Sequence, residues 1–292
     1  MTLYTQVETN KRKTFFYIFL FLVFIIFLGW IFSWIYDSQI ILYIAVVISI
    51  SQALSSYYIG DRIALAISHA VPAKREEYTE LHRLVENLAL TAGLPKPKIY
   101  IIPEDVPNAF ATGRDPGHAS IAVTTGLLRV LEKKEIEGVV AHELAHIGNR
   151  DSLLMVVIVV LVGVISILSD FFLRLSFWDF GESRERNYSG IMLVLTLVIA
   201  ILAPIAATLI QLAISRKREF MADASGALLT RYPQGLASAL KKLSADNRQM
   251  RHANHATSLL YISNPIKRKS WVSNLFSTHP PVEERIKLLE SM

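Results

Sequence analysis

Apolar positions cluster in four long runs without a single charge, residues 14–36, 38–60, 152–169 and 187–215. A helix needs about 20 apolar residues to cross a bilayer. The first, second and fourth runs exceed that length, and Phe171, Phe172 and Leu173 extend the third past Asp170. The pattern predicts about four transmembrane helices. In 14–36 Phe, Ile and Leu occupy every helical face, which suits lipid on all sides. The last two runs also fit buried core helices, because both adjoin chemistry-bearing segments and carry the small residues Gly163, Ala203, Ala206 and Ala207.

Between the runs the pattern changes period. Tyr78, Leu81, Leu84, Val85 and Leu88 recur at helical spacing, and Gly93 and Pro95 end that helix near residue 92. Lys98–Ile102 predicts a strand stopped by Pro103, and Ser120–Thr125 a second strand after the turn at Asp115-Pro116-Gly117. Leu131, Glu135, Val139, His142 and His146 fall on one stripe, predicting a helix over roughly 132–150 that runs directly into the third apolar run. Residues 226–244 predict a further helix, 245–276 a long loop, and Pro280-Pro281 the start of a terminal amphipathic helix. Four segments follow: a hairpin of spans over 1–60, polar chain over 61–151, a second hairpin over 152–215, and polar chain over 216–292.

Charge orients the spans. Lys11, Arg12 and Lys13 precede the first run, and the short link around Asp37 has no Lys or Arg. Positive-inside bias puts the N-terminus in the cytoplasm and Asp37 outside. Arg216-Lys217-Arg218 belongs on the cytoplasmic side, and the aromatic-rich stretch 170–186 outside. The overall charge of +5 is modest and forms no basic stripe, so nucleic acid is not an expected partner. There is no Cys, which excludes disulfides and thiolate metal ligands. At 52% hydrophobic, the chain is too apolar for an ordinary soluble enzyme.

The chemistry centres on His142-Glu143-Leu144-Ala145-His146. Two His four apart lie one turn apart on one helical face, where they can grip one metal ion. Glu143 stands where zinc hydrolases keep the carboxylate that deprotonates the attacking water. A catalytic zinc takes three protein ligands and leaves one position open. Among the downstream glutamates, Glu182 and Glu185 fall in the outside stretch, and Glu283, Glu284 and Glu290 in the terminal helix. Glu219 alone emerges from a run at the face that carries the His pair, and it is the expected third ligand of one Zn²⁺ per chain. Asp223, one turn on, is placed to accept the free N–H of a ligating His. The strand-forming stretch at Asn108, Ala109 and Phe110 offers an edge for an extended peptide, or simply a structural hairpin. For the oxyanion, His279 is the first candidate donor and Arg285 the second.

Four blocks together carry a family resemblance. His142–His146 with Asp151, Glu219-Phe220-Met221-Ala222-Asp223-Ala224, Asn264-Pro265, and Ser277-Thr278-His279-Pro280-Pro281 with Glu284-Arg285-Ile286 resemble the HtpX-type membrane zinc metallopeptidases. Those belong to the same peptidase family as the CAAX prenyl endopeptidases. Asn108–Gly113 and Thr124–Leu128 look like that family's substrate-side strands. The resemblance implies an α+β membrane protein, a mainly helical gluzincin-type catalytic domain with a small β-sheet attached to the spans. It also implies a zinc endopeptidase in the bacterial inner membrane, cutting misfolded or unassembled membrane proteins at the cytoplasmic face. Two rival readings are an intramembrane-cleaving metalloprotease and a non-catalytic scaffold with structural zinc. Lys133, Lys134, Glu135, Glu137 and Arg150 around the His pair oppose the first, and the Glu beside the first His opposes the second.

Overall fold

The computed structural model describes residues 3–35, 37–178, 216–251, 257–265 and 280–292. The chain begins with helix α1 (Leu3–Ile35), then α2 (Gln39–Tyr58) and the short α3 (Gly60–Ile67). These lead to strand β1 (Val71–Pro72), helix α4 (Thr79–Thr91) and strands β2 (Lys98–Ile102), β3 (Ala109–Gly113) and β4 (Ala119–Thr124). Helices α5 (Thr125–Val130), α6 (Lys133–Gly148) and α7 (Asp151–Trp178) follow. Beyond residue 215 come α8 (Arg216–Thr230), α9 (Pro233–Ala245) and α10 (Val282–Glu290).

Val7–Trp34 and Gln39–Tyr58 are long and apolar enough to cross a membrane. Their large side chains face outward, including Phe19, Trp30, Trp34, Tyr43 and Val47. That exposure suits lipid and would be costly in water. Over its first half the third run has the character of a buried core helix, one of the two readings its composition allows. From Leu153 to Val162 its side chains are buried by protein on every face, against α1, α3 and the sheet. An unbroken run of Val, Leu and Ile reads the same whether lipid or protein surrounds it, so composition alone did not separate the two. The stretch Asp151–Ile165 of α7 counts as a third candidate span only together with α6, from which it is bent by 81°. The fourth run lies outside the described residues.

The four strands lie in the order β1-β2-β4-β3. β2 and β4 are parallel, while β1 and β3 are antiparallel to their neighbours. Side-chain alternation divides the protein in two. Ile99, Ile101, Ala109, Ala111, Ile121 and Val123 pack with the buried faces of α4, α6 and α9. Ile102, Phe110 and Ala122 point the other way, into the cluster built by α1, α3 and α7. The sheet is thus a partition with the metal-motif helix on one face and the membrane-side helices on the other. Both faces being buried explains why β3 and β4 are apolar or small at every position.

Helix α6 starts at a defined point. Glu135 Oε2 accepts from the Glu132 N–H at 2.7 Å, which satisfies one of the first-turn donors. The same carboxyl accepts from Ser238 Oγ at 2.6 Å and Lys242 Nζ at 2.8 Å, tying α9 to the start of α6. Gly138 and Gly235 let these helices approach closely: a Cβ on Gly138 would lie 2.6 Å from the Leu236 backbone nitrogen. At its other end α6 does not run straight into α7. Asn149 closes it, Arg150 adopts a left-handed backbone (φ 60°), and the axis turns by 81°.

Candidate metal centre

The His pair projects from the buried face of α6, and α8 crosses that face with Glu219 and Asp223 one turn apart. Gly226 of α8 makes the crossing tight, since a Cβ there would stand 3.0 Å from the His142 backbone nitrogen. The Nε2 atoms of His142 and His146 are 3.1 Å apart. Glu219 Oε1 lies 3.5 Å from His146 Nε2, and Oε2 3.8 Å from His142 Nε2. One ligand atom from each of His142, His146 and Glu219 falls within 4.8 Å of the others, and all three residues are buried. Among the described residues this is the only such group.

Each imidazole has a carboxylate on its far side. His142 Nδ1 is 2.9 Å from Asp223 Oδ1, and His146 Nδ1 is 3.1 Å from Asp151 Oδ2. The Asp223 contact, where sequence spacing put it, is close but out of line with the ring N–H. The Asp151 contact was missed, because Asp151 lies beyond the end of α6 and only the turn at Arg150 swings it back over His146. Arg285 is also fully buried. It donates through Nε to Asp223 Oδ2 at 2.8 Å and through Nη2 to Asp223 Oδ1 at 2.7 Å. Its Nη1 stands 3.4 Å from Glu219 Oε2. The guanidinium, proposed from sequence as an oxyanion donor, is here a clamp joining α10 to the two acidic residues of α8. His279 lies outside the described residues.

The donor set fits a divalent cation. Glu143, Asp151, Glu219 and Asp223 are all buried around the His pair, faced by the buried guanidiniums of Arg218 and Arg285. With both imidazoles neutral, as metal ligands must be, that leaves two negative charges for a bound ion to balance, and unpaired buried charge is costly. The field shows in His146. Burial lowers its pKa, but Asp151, Glu219 and Glu143 outweigh that and lift it to about 9. Burial raises the pKa of Asp223, yet Arg285 and His142 hold it well below the usual carboxylate range. Two neutral-capable nitrogens and one carboxylate, each ring backed by a carboxylate, is the donor chemistry of a catalytic zinc.

Glu143 sits beside this group of three, buried, with the Ala111 N–H of β3 upon it. Burial raises its pKa and the Glu219 charge adds to this, while His142, His146 and the Ala111 N–H pull it back. The balance is upward, the direction that makes a carboxylate a better proton acceptor.

The residues expected to meet substrate are occupied within the chain. Asn108 donates to the Ser263 carbonyl at 2.8 Å and accepts from the Ser263 N–H at 3.2 Å. The Ala109 carbonyl accepts from the Ile262 N–H at 2.9 Å. Phe110 is fully buried edge-to-face on Tyr261, with centroids 5.1 Å apart. The segment at 261–263 therefore lies along the outer edge of β3 at its start, and Ala111, beside Glu143, is the next position along that edge.

Comparison with known proteins agrees with this geometry. Residues 75–292 match the model of peptidase family M48. The chain is 47% identical over 297 residues to the "Protease HtpX homolog" of Thermoanaerobacter pseudethanolicus, covering all of this chain and 98% of that one. The protein of the same name from Pyrococcus furiosus is 49% identical over 251 residues, covering 85% and 86% of the two chains. That from Tropheryma whipplei strain Twist is 41% identical over 290 residues, covering 99% and 98%. The crystal structure of S. mikatae Ste24p shares the fold, with a TM-score of 0.53 at 20% identity over 98% of this chain and 67% of that one. With His142, Glu143, His146 and Glu219 brought together on two crossing helices, the chain belongs to peptidase family M48, as a membrane metallopeptidase.

Proposed function

We propose that the chain is a zinc-dependent endopeptidase of the bacterial inner membrane. It cleaves misfolded or unassembled membrane proteins at the cytoplasmic face. The observation that carries the zinc reading is the convergence of His142, His146 and Glu219 within 4.8 Å, buried and beside Glu143. These three residues would hold one ion, which when bound polarises the scissile carbonyl and acidifies the attacking water. Glu143 takes the proton from that water and delivers it to the leaving amine. Asp223 and Asp151 keep each ring turned to its task. His279 is the proposed donor to the oxyanion, since the Arg285 fork is spent on Asp223 and Glu219. A substrate strand would run along the β3 edge from Ala111 onward, with Asn108, Ala109 and Phe110 setting where that edge opens.

The quality-control role rests on the family resemblance, and the cytoplasmic orientation on Lys11-Arg12-Lys13 and Arg216-Lys217-Arg218. Purified protein in detergent should degrade an unfolded test protein, lose that activity to a chelator, and regain it with one equivalent of Zn²⁺. Persistent cleavage after complete metal removal would sink the zinc reading. For orientation, Cys at Asp37 should react with an impermeant thiol reagent on intact cells, and Cys at Glu76 should not. The reverse pattern would put the site outside.

A further inference from the structure

Helix α1 contains the first candidate membrane span, and in the polar stretch before its apolar run one residue, Asn10, is only 2% exposed. Asn10 donates from Nδ2 to Asp151 Oδ1 at 2.6 Å and to the Asn149 carbonyl at 3.0 Å. Asp151 uses its other oxygen on His146 Nδ1 at 3.1 Å. A continuous hydrogen-bonded path thus runs from the membrane helix to a metal ligand: Asn10, Asp151, His146. An amide suits this place. It gives Asp151 a donor without adding charge to a buried carboxylate that already has Arg218 Nε 3.6 Å away. Its second contact fixes Asn149, the residue that caps α6, so the same side chain holds both sides of the helix corner.

We infer that Asn10 is a positioning residue for the metal site: the first membrane helix, through this one amide, sets the orientation of Asp151 and through it the His146 ring. In the polar stretch Glu8–Lys13 that leads into the apolar run, Asn10 is buried against protein while Lys11, Arg12 and Lys13 are exposed. Without the amide, Asp151 Oδ1 loses a donor in a buried setting, and the carboxylate is free to turn away from His146. Partners of metal-ligating His are typically worth about 10- to 100-fold in metal affinity. Asn10 acts one bond further out, so the lower end, about tenfold, is expected.

The inference rests on reading the site as a metal centre, and the test separates the two. All proteins carry Glu143→Gln, so that they stay whole, and the probe is Co²⁺ alone, whose visible absorption reports ligand geometry. Asn10→Leu keeps the branched shape and removes the donor; Asn10→Ala is the second variant should the larger side chain fold poorly. Phe21→Leu loosens the same helix at a buried apolar contact away from Asp151. The expected result is an altered Co²⁺ spectrum and about tenfold weaker Co²⁺ and Zn²⁺ binding in both Asn10 variants. Phe21→Leu should melt lower but bind metal as the parent does. Parent-like affinity and spectrum in Asn10→Leu overturn the inference, and so does an equal loss in Phe21→Leu, which would trace the effect to helix docking in general. If the parent itself binds no Co²⁺, the metal reading falls and this inference with it.

Discussion

Arg285 of α10 grips Asp223 of α8 with two nearly parallel bonds of 2.8 and 2.7 Å, both residues being buried. This pair fastens the C-terminal helix to the helix that supplies Glu219. Removing one partner strands the other charge in the interior, which typically costs about 3–5 kcal/mol. Arg285→Met should therefore melt substantially lower and hold metal less well. Arg285→Lys should recover little, because an ammonium cannot reproduce the fork. Denaturation in detergent with parallel metal quantification checks both; a Lys variant as stable as the parent would mean that charge alone matters here.

Glu143→Gln should leave the site built but idle. Its carboxylate lies beside the three ligands without being one of them, so zinc content and melting should change little. Loss of a general base is worth about 10² to 10⁴ in rate. His142→Ala should be inactive and metal-poor, since a ligand is gone. Activity and zinc content measured together on both variants give the answer. Wild-type turnover by Glu143→Gln with zinc bound would move the base elsewhere.

Glu135 lends stability that depends on pH. Burial raises its pKa, but Lys242, Ser238 and the Glu132 N–H overcome this and leave it below the usual value. A depressed carboxyl stabilises the fold above its unfolded pKa of about 4.3 and stops doing so as pH falls through the lower folded value. Glu135→Gln should melt below the parent at neutral pH. The gap should close on acidification below about pH 4. Melting curves of the two proteins across that window test it, and a gap constant with pH would mean that packing, not charge, is what the substitution removes.

Gly138→Ala tests the closeness of α6 and α9. Alanine is the better helix former by about 1 kcal/mol, so propensity alone predicts a gain. The added Cβ would meet the Leu236 backbone nitrogen at 2.6 Å, and backbone cannot yield as a side chain does. A net loss of melting temperature is expected, and a rise would show that the helices can separate at little cost.

The metal motif was legible because its chemistry is local: His142, Glu143 and His146 share one helix, where spacing is geometry. Glu219 was reachable by elimination, since the ends of the spans limited which glutamates share a face. β2 was legible residue for residue at Lys98–Ile102, bounded by Pro103. What escaped was whatever depends on a bend or a long-range contact. Asp151 reaches His146 only because Arg150 turns the chain, and no periodicity announces a left-handed residue. Asn10 reads as a polar residue before a span until α1 is seen against α7. The sheet edge at Asn108–Phe110 looked open, and Ser263 and Ile262, more than 150 positions away, lie on it.

The corner at Asn149–Asp151 puts His146 and the carboxylate behind its ring on different helices. His146 moves with α6 and Asp151 with α7, and between them stands one left-handed residue in place of continuous helix. A hydrogen bond tolerates only a few tenths of an ångström of stretch before it weakens steeply. The 3.1 Å contact therefore ties the setting of the His146 ring to the 81° angle between the two helices.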